Sequence, residues 1–386
     1  MAKINIALSG YNALTDTNPD HFSLKADEDN LLIKEFDRGT VNVATTQTIT
    51  HNLGYVPFFL AYSRQYGGSD YGPVDHNSFD IAYYAHMDSN DLTLGNVTGS
   101  TEPFTYYIFY DEITSGSPSF TEEGSIVKVA NSGSNALTST NPNDFIFHSN
   151  LNTLKIIKEG TATISAGAFG YNSFNHGAGI SNPHAFMGFV QFPDGSISRL
   201  SKLTNISKDG NYGVGEATIT STQFTAFFVG AGTYKIKYYI FETPLVGSTG
   251  KSITLSDHKF RVAKSGYNAL TETDSNKYNF LSGFNTLKYF DSGSTSLTIS
   301  GDGTIKTEET SIYHGLGYTP FFACYVNDLG ESYYNSIPMN RNAAFFTAWA
   351  STYCDNNYLY FKFQYGDLSS YTQNFYYKIF DNDLGF

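Results

Sequence analysis

One seven-residue segment occurs three times in this chain of 386 residues, and it constrains the fold more than any other feature. Ser-Gly-Tyr-Asn-Ala-Leu-Thr begins at Ser9 and at Ser265, and Ser-Gly-Ser-Asn-Ala-Leu-Thr begins at Ser132. The starting points are 123 and 133 residues apart, whereas stacked solenoid repeats have periods of roughly 20 to 50 residues. We therefore predict three tandem repeats, each the size of a domain.

Two further blocks recur in the same order within each repeat. The first is His-Asn-Leu-Gly-Tyr-Val-Pro-Phe-Phe from His51 and His-Gly-Leu-Gly-Tyr-Thr-Pro-Phe-Phe from His314; the second repeat has an extra residue before its proline, in His-Gly-Ala-Gly-Ile-Ser-Asn-Pro from His176. The other block is Tyr-Tyr-Ile-Phe from Tyr106 and Tyr238, or Tyr-Tyr-Lys-Ile-Phe at 376–380. Segments rich in small polar residues lie between the repeats. We predict homologous domains at residues 1–118, 119–250 and 251–386.

The composition favours an all-β fold. The chain has 30 Tyr, 32 Phe and 35 Gly but only 15% charged residues, a balance typical of half-buried strands joined by tight turns. Turn signals recur at intervals of about 8 to 12 residues, and no segment shows a long amphipathic helical period. We predict three tandem β-sandwich domains, jelly-roll-like or immunoglobulin-like. Within them, residues 154–157 should form a strand whose Lys155 faces water.

The block that begins with histidine is predicted to be a structural corner. One strand should end near the histidine, the glycines should supply positive φ angles, and the proline should begin a buried strand. No nucleophile or carboxylate recurs beside the histidine, so a hydrogen bond to the turn backbone is favoured over catalysis. The corner residues are His51, Gly54 and Pro57 in the first repeat, His176, Gly179 and Pro183 in the second, and His314, Gly317 and Pro320 in the third.

Charge and cysteine content limit the partners and cofactors. The formal net charge of −13 opposes binding to a phosphate backbone. The chain has no apolar run of the roughly 20 residues that a membrane-spanning helix needs and no apparent export signal. The motifs His-x-His, His-Glu-x-x-His and Cys-x-x-Cys are absent, so we predict no metal site, no cofactor and no enzymatic activity. Cys324 and Cys354 are expected to be buried thiols rather than a disulfide.

The abundant tyrosines leave two interpretations open. Those at 62–84 and 353–377 could form a platform for a carbohydrate or an interface with another protein. Protein interfaces are enriched in tyrosine because the ring buries area while its hydroxyl stays hydrated. A single tryptophan, Trp349, makes the carbohydrate interpretation weaker.

The corner block, and the pairing of the Ser-Gly-Tyr-Asn-Ala-Leu-Thr opening with Phe-Asn-Thr-Leu-Lys at 284–288, resemble segments of virion proteins of tailed bacteriophages. The resemblance implies a non-enzymatic structural protein of tandem β domains, assembled in the bacterial cytoplasm and located in the virion. Its expected partners are other virion proteins of the capsid or tail lattice, with the chain forming a homo-oligomer in the particle. The alternative is a receptor-binding or adhesin module of a tail fibre that recognises a host-surface glycan.

Overall fold

The regular structure of the chain is almost entirely β-strand. The computed structural model describes residues 5–8, 10–16, 22–25, 32–64, 71–74, 83–114, 116, 119–120, 127–130, 133–201, 205–207, 211–247, 249–258, 260–287, 289–327, 334–343, 346–367 and 369–386. These residues contain thirty strands and no α-helix. The all-β prediction is therefore confirmed. Short 3-10 turns lie at Pro142–Asp144, Leu255–Asp257 and Ser275–Lys277.

The strands follow one plan in all three repeats. The first repeat contains β1 (Asn5–Ala7), β2 (Phe22–Lys25), β3 (Glu35–Val43), β4 (Thr46–Thr50), β5 (Pro57–Arg64), β6 (Tyr71–Pro73), β7 (Tyr83–Met87), β8 (Asp91–Asn96) and β9 (Glu102–Glu112). The second contains β10 (Lys128–Ala130), β11 (Phe145–His148), β12 (Lys155–Ala166), β13 (Phe169–Asn175), β14 (His184–Gln191), β15 (Ile197–Arg199), β16 (Asn205–Ile206), β17 (Gly213–Ile219), β18 (Gln223–Val229) and β19 (Gly232–Pro244). The third contains β20 (Arg261–Ala263), β21 (Tyr278–Leu281), β22 (Asn285–Thr286), β23 (Tyr289–Ile299), β24 (Lys306–Tyr313), β25 (Pro320–Asn327), β26 (Tyr334–Ser336), β27 (Met339–Ala343), β28 (Phe346–Cys354), β29 (Tyr358–Gly366) and β30 (Tyr371–Asp383).

Each repeat divides its main strands into two groups. The four-strand group of the first repeat has the order β3-β9-β5-β6, and its equivalents are β12-β19-β14-β15 and β23-β30-β25-β26. The three-strand group of the first repeat is β7-β8-β4, and its equivalents are β17-β18-β13 and β28-β29-β24. All the pairings within these groups are antiparallel, which suits short connections between successive strands.

A glycine faces a tyrosine across the same strand pair in every repeat. Gly39 pairs with Tyr106, and a Cβ at Gly39 would lie 2.7 Å from the hydroxyl oxygen of Tyr106. Gly160 and Tyr238 have the same relation at 2.4 Å, and the third repeat has the corresponding pair at 293 and 377. The tyrosine ring therefore occupies the space that a larger residue in place of the glycine would fill.

Each large sheet crosses from one repeat into another. The four-strand group of the first repeat continues into the three-strand group of the second through β6 and β17, that of the second continues into the third through β15 and β28, and that of the third returns to the first through β26 and β7. Successive heterologous contacts of this kind form a ring when the last contact meets the first unit. The repeats are consecutive in sequence, but they share their sheets and form one closed, pseudo-three-fold ring.

Contacts in the core follow the same cyclic order. The hydroxyl of Tyr62 donates to the carbonyl oxygen of Phe186 in the second repeat at 2.7 Å. The equivalent Tyr325 of the third repeat donates to the carbonyl oxygen of Phe59 in the first repeat at 3.1 Å. The second repeat has Phe189 at this position, and its ring packs 4.9 Å from that of Phe321 in the third. One apolar core accordingly runs through all three repeats.

A second, smaller apolar cluster marks the centre of the ring. It joins equivalent residues of the short hairpins β1-β2, β10-β11 and β20-β21. The buried members include Leu24, Phe147 and Phe280, one from each repeat, and the partly buried Ile6, Val129 and Val262 pack against them. Because the same position of every repeat meets here, the pseudo-three-fold axis passes through this cluster.

The predicted exposure of Lys155 is wrong. Lys155 and the equivalent Lys34 are 2% and 1% exposed, at the junctions between repeats. A β-bulge between Ile156 and Lys158 shifts the register, so the outward alternation of β12 begins only after the bulge. Burial lowers the pKa of each lysine to about 8, although the nearby carboxylates of Asp111 and Glu242 act in the opposite direction.

Candidate functional site

The corner residues lie between equivalent strands in all three repeats. The corner at 51–57 joins β4 to β5, that at 176–183 joins β13 to β14, and that at 314–320 joins β24 to β25. Gly54, Gly179 and Gly317 have φ angles of 76°, 64° and 77°. Pro57 and Pro320 are the first residues of their strands. These positions give the corners a sharp backbone turn that residues other than glycine rarely adopt.

The three corner histidines hold two pieces of backbone together. Nδ1 of His51 accepts from the N–H of Leu53 at 3.2 Å, and Nε2 lies 3.2 Å from the carbonyl oxygen of Asp88. His176 and His314 make the same pair of contacts, with Nε2 at 3.2 Å from Thr220 O and at 3.1 Å from Asp355 O. Partial burial lowers the pKa of all three rings. This geometry ties each corner to the neighbouring hairpin turn.

One corner histidine contacts a cysteine. Nε2 of His314 lies 3.8 Å from Sγ of Cys354. A cysteine nucleophile requires a thiolate whose pKa is lowered and which is accessible to substrate. Cys354 is 1% exposed, and burial raises the pKa of its thiol well above the ordinary value. Cys324 is also an unpaired, buried thiol, and burial raises its pKa. The contact joins the two residue types of a catalytic cysteine–histidine pair. However, the Cys354 thiol is buried and its pKa is raised, whereas catalysis requires an accessible thiol with a lowered pKa.

The described residues hold no group of three or more side chains suited to a metal ion. Among them there is also no helix of the length and apolarity needed to cross a membrane. A polar cavity of about 230 Å³ lies at the junction of the repeats beside Arg38. The Arg38 guanidinium is bonded to Asn276 at 3.0 Å and lies 3.3 Å from the Glu35 carboxylate, so its charge is already balanced by the protein.

The segment that defines the repeats forms an exposed turn in each of them. We call residues 10–16, 133–139 and 266–272 the leucine loops. The side chains of Asn12, Asn135 and Asn268 accept a hydrogen bond at 2.9 Å from the N–H two residues later, which is the contact of an Asx turn. The asparagine therefore has a structural role in its loop.

The leucine of each loop has no comparable structural role. Leu14, Leu137 and Leu270 are 94%, 88% and 72% exposed. Single exposed leucines are ordinary, but the same exposed leucine in three equivalent loops is a repeated surface feature. The loops connect the strands of the hairpins that meet at the pseudo-three-fold axis. Three equivalent, exposed leucine side chains are thus arranged around one axis.

Sequence reasoning identified this segment as the marker of the repeats but not as a site. Exposure was the missing information, since a leucine between alanine and threonine is equally compatible with a core position. Of the tyrosines at 62–84, Tyr62, Tyr71 and Tyr83 are buried in the core and are therefore not part of a surface platform.

No protein-family model matches the chain, and no curated protein matches its sequence.

Proposed function

We propose that the chain is a non-enzymatic structural component of a tailed-bacteriophage virion, assembled in the bacterial cytoplasm, that binds the capsid or tail lattice through its leucine loops. The observation that carries this proposal is the ring of three repeats with one exposed leucine in each equivalent loop. A ring of this kind presents the same exposed loop three times around one axis, as a homotrimer would. It is suited to a position of three-fold symmetry in a larger assembly.

Linkage between the loops supports binding through contacts that are individually weak. One exposed leucine contributes only about 1 to 2 kcal/mol on burial. The hairpins that carry the three loops pack together in one apolar cluster of a single chain, so the second and third contacts form without a further loss of translational freedom. Repetition of the binding partner in a lattice would place several copies of the chain in one particle.

The shape of each repeat is part of the same proposal. The four-strand and three-strand groups of one repeat contact each other, for example through β5 with β7 and β25 with β28, although they belong to different sheets. We propose that each repeat is a β-sandwich unit whose two layers continue into different neighbours. The non-enzymatic role is supported by the buried, protonated state of Cys354 and the backbone bonds of the three histidines.

Mass spectrometry of purified particles of the phage that encodes the chain tests the location. The chain should be present, and a variant with Leu14→Ser, Leu137→Ser and Leu270→Ser should be incorporated at least about tenfold less, as expected from a loss of more than 1.4 kcal/mol. A matched control carries Val97→Ser and Ile305→Ser, which are 69% and 61% exposed but lie outside the loops.

The control variant should be incorporated like the unaltered chain, and both variants should unfold at the same temperature as the unaltered chain. Particles that lack the chain would refute its place in the virion. Normal incorporation of the triple-leucine variant would refute binding through the leucine loops.

A further inference from the structure

The outer face of the three-strand group of the third repeat has a distinctive surface. The register pairs Tyr353 with Tyr360, Tyr360 with Ser311, and Tyr358 with Tyr313, so these side chains share one face across the three strands. We call this face the tyrosine face. Its residues are Thr307, Glu309, Ser311 and Tyr313 on β24, Trp349, Ser351 and Tyr353 on β28, and Tyr358, Tyr360, Lys362 and Gln364 on β29.

Four tyrosine rings form a continuous strip on this face. The rings of Tyr353 and Tyr360 are stacked with centroids 4.5 Å apart and an interplanar angle of 13°. Tyr358 lies 6.0 Å from Tyr360 and 5.3 Å from Tyr313. The strip becomes more exposed toward the sheet edge, where Tyr358 and Tyr313 are 39% and 68% exposed. Two ring surfaces are therefore accessible at the edge, and two others support them.

Carboxylates are fixed beside the rings. The hydroxyl of Tyr360 donates to Oδ2 of Asp355 at 2.9 Å, and the hydroxyl of Tyr353 bonds to the carboxylate of Glu309. Oδ1 of Asp355 accepts from the N–H groups of Asn357 and Tyr358, both at 2.8 Å. Partial burial would raise the pKa of Asp355, but these hydrogen bonds outweigh it and lower the pKa. The face thus holds carboxylate acceptors in defined positions next to aromatic surfaces.

The equivalent faces of the other repeats are different. In the first repeat the outward positions of β4 and β8 include Thr46, Thr48 and Thr93. Strand β7 adds one tyrosine to this face, Tyr84, whose ring stacks on His86 with centroids 5.7 Å apart.

In the second repeat Phe169 and Tyr171 of β13 are exposed next to Val229 and Phe227 of β18, and the hydroxyl of Tyr171 bonds to the carboxylate of Glu216. Among the residues that the structure describes, this face has one tyrosine–carboxylate pair but no strip of stacked tyrosine rings. All three repeats have the same strand plan, but their outward side chains differ on this face. The fold itself therefore does not require the tyrosine strip.

We propose that the tyrosine face binds a neutral carbohydrate chain. The C–H face of a pyranose ring is apolar and weakly positive, which complements the negative face of a tyrosine ring. Its hydroxyls can donate to the carboxylates of Asp355 and Glu309. None of the eleven residues of the face is aliphatic, whereas protein interfaces are apolar at their centre and depleted in charged groups there. The fixed carboxylates and the net charge of −13 disfavour an acidic saccharide.

The rings and carboxylates have distinct parts in this recognition. Tyr313 and Tyr358 provide the stacking surface for successive sugar units at the sheet edge. Asp355 and Glu309 fix the orientation of the units through their hydroxyls, and the hydroxyls of Tyr353 and Tyr360 hold the carboxylates in place. Little ordering is required on binding, because the tyrosine and carboxylate side chains are already tied to one another.

Binding to an array of neutral and acidic polysaccharides, including dextran, mannan, galactan and alginate, tests the proposal on the full chain. At least one neutral polysaccharide should bind, with saturation-transfer NMR showing contact to tyrosine protons. The variant Tyr313→Ala/Tyr358→Ala should lose about tenfold or more in affinity for it, whereas Tyr313→Phe should retain most of the affinity because the ring remains. Tyr171→Ala is the matched control, since Tyr171 is 60% exposed on the equivalent edge strand of the second repeat.

Four results would overturn the proposal. They are the absence of any neutral polysaccharide ligand, a preference for alginate, unchanged binding of Tyr313→Ala/Tyr358→Ala, and an equal loss in Tyr171→Ala. Thermal unfolding of each variant separates a lost surface from a lost fold. The outcome is independent of incorporation into virions, because the leucine loops and the tyrosine face share no residue.

Discussion

Lys34 and Lys155 occupy equivalent positions, yet their replacement by methionine is expected to change stability in opposite directions. Among the described residues, Nζ of Lys34 has no hydrogen-bond partner. Nζ of Lys155 donates to Oδ1 of Asn152 at 3.0 Å and to the carbonyl oxygen of Tyr278 at 2.8 Å. Methionine keeps the apolar stem of lysine and removes the charge. The variant Lys34→Met therefore removes a buried cation that makes no hydrogen bond to the described residues, whereas Lys155→Met removes a buried cation together with its two hydrogen bonds.

The size of the effect follows from the pKa of Lys34. Burial lowers this pKa from 10.5 to about 8, which corresponds to roughly 3 kcal/mol for holding the ammonium in the fold at neutral pH. This lowered pKa already includes the opposing attraction of Asp111 and Glu112. We expect Lys34→Met to stabilise by about 1 to 3 kcal/mol, with roughly 3 kcal/mol as the upper limit. The pKa of Lys155 is lowered to the same value of about 8, but Lys155→Met removes two hydrogen bonds and also the cation beside the buried carboxylate of Glu242. These losses outweigh the gain from removing the charge, so Lys155→Met should destabilise by about 1 to 3 kcal/mol.

The pH dependence of Lys34→Met provides the internal control. The unfolded chain keeps its proton on Lys34 up to a pKa near 10.5, and the folded chain loses it near pH 8. The unfolded state therefore binds more protons between these values, and the folded state of the unaltered chain gains stability as the pH rises through this window. The advantage of Lys34→Met should be full below pH 8 and should shrink toward pH 10.5.

Urea denaturation of the unaltered chain and both variants at pH 7 and pH 10 measures these differences. A destabilising effect of Lys34→Met of the same size at both pH values would refute the buried-cation interpretation. So would a Lys155→Met variant that is as stable as the Lys34→Met variant at pH 7.

Three other predictions concern the core. The substitution Gly160→Ala should destabilise by about 1 to 3 kcal/mol in thermal unfolding, because the new Cβ would lie 2.4 Å from the hydroxyl oxygen of Tyr238. The control Gly167→Ala has no atom within 4 Å of its new Cβ and should change stability by less than about 1 kcal/mol. Equal effects of the two substitutions would refute this steric explanation. Burial lowers the pKa of His184 to about 4, so the unfolded state binds more protons than the folded state between pH 6.5 and pH 4. The stability of the unaltered chain should therefore fall as the pH drops through this window, and it should fall less steeply in His184→Gln. Equal dependence of stability on pH in both proteins would contradict the lowered pKa of His184. Both cysteines should resist a thiol reagent in the native protein and react in denaturant; reaction at the native rate of an exposed thiol would contradict their burial.

The sequence predicted the local features whose physical cause is local. The positive φ angles at Gly54 and Gly317 and the strands that begin at Pro57 and Pro320 follow from the permissive backbone of glycine and the missing N–H of proline. These inferences need only neighbouring residues.

The features that depend on partners distant in sequence were not predictable. Alternation shows which side chains share a face, but it does not show whether the next strand comes from the same repeat. The ring therefore emerged only from pairings such as that of β26 with β7. Lys155 was misplaced for the same reason, because a bulge and the carbonyl of Tyr278 from the third repeat decide its environment.

The two proposed surfaces were hidden by different kinds of missing information. The leucine loops were present in the repeat pattern, but exposure separates a surface leucine from a core leucine. The tyrosine face required the register that pairs Tyr353 with Tyr360 and Tyr358 with Tyr313. Before that register was known, the tyrosines at 353–377 could not be divided between the core and the surface.

Closure of the ring rests on the junction at which the third repeat returns to the first, where Tyr334 pairs with Met87. In the variant Met87→Cys/Tyr334→Cys, the two cysteines occupy directly paired strand positions, whose Cα separation of about 4.5 to 5.5 Å suits a disulfide. Mild oxidation of the monomer, followed by peptide mass mapping, should show a disulfide between residues 87 and 334 within one chain. If the two thiols remain reduced, or if they are linked only between different chains, the repeats do not close into a ring.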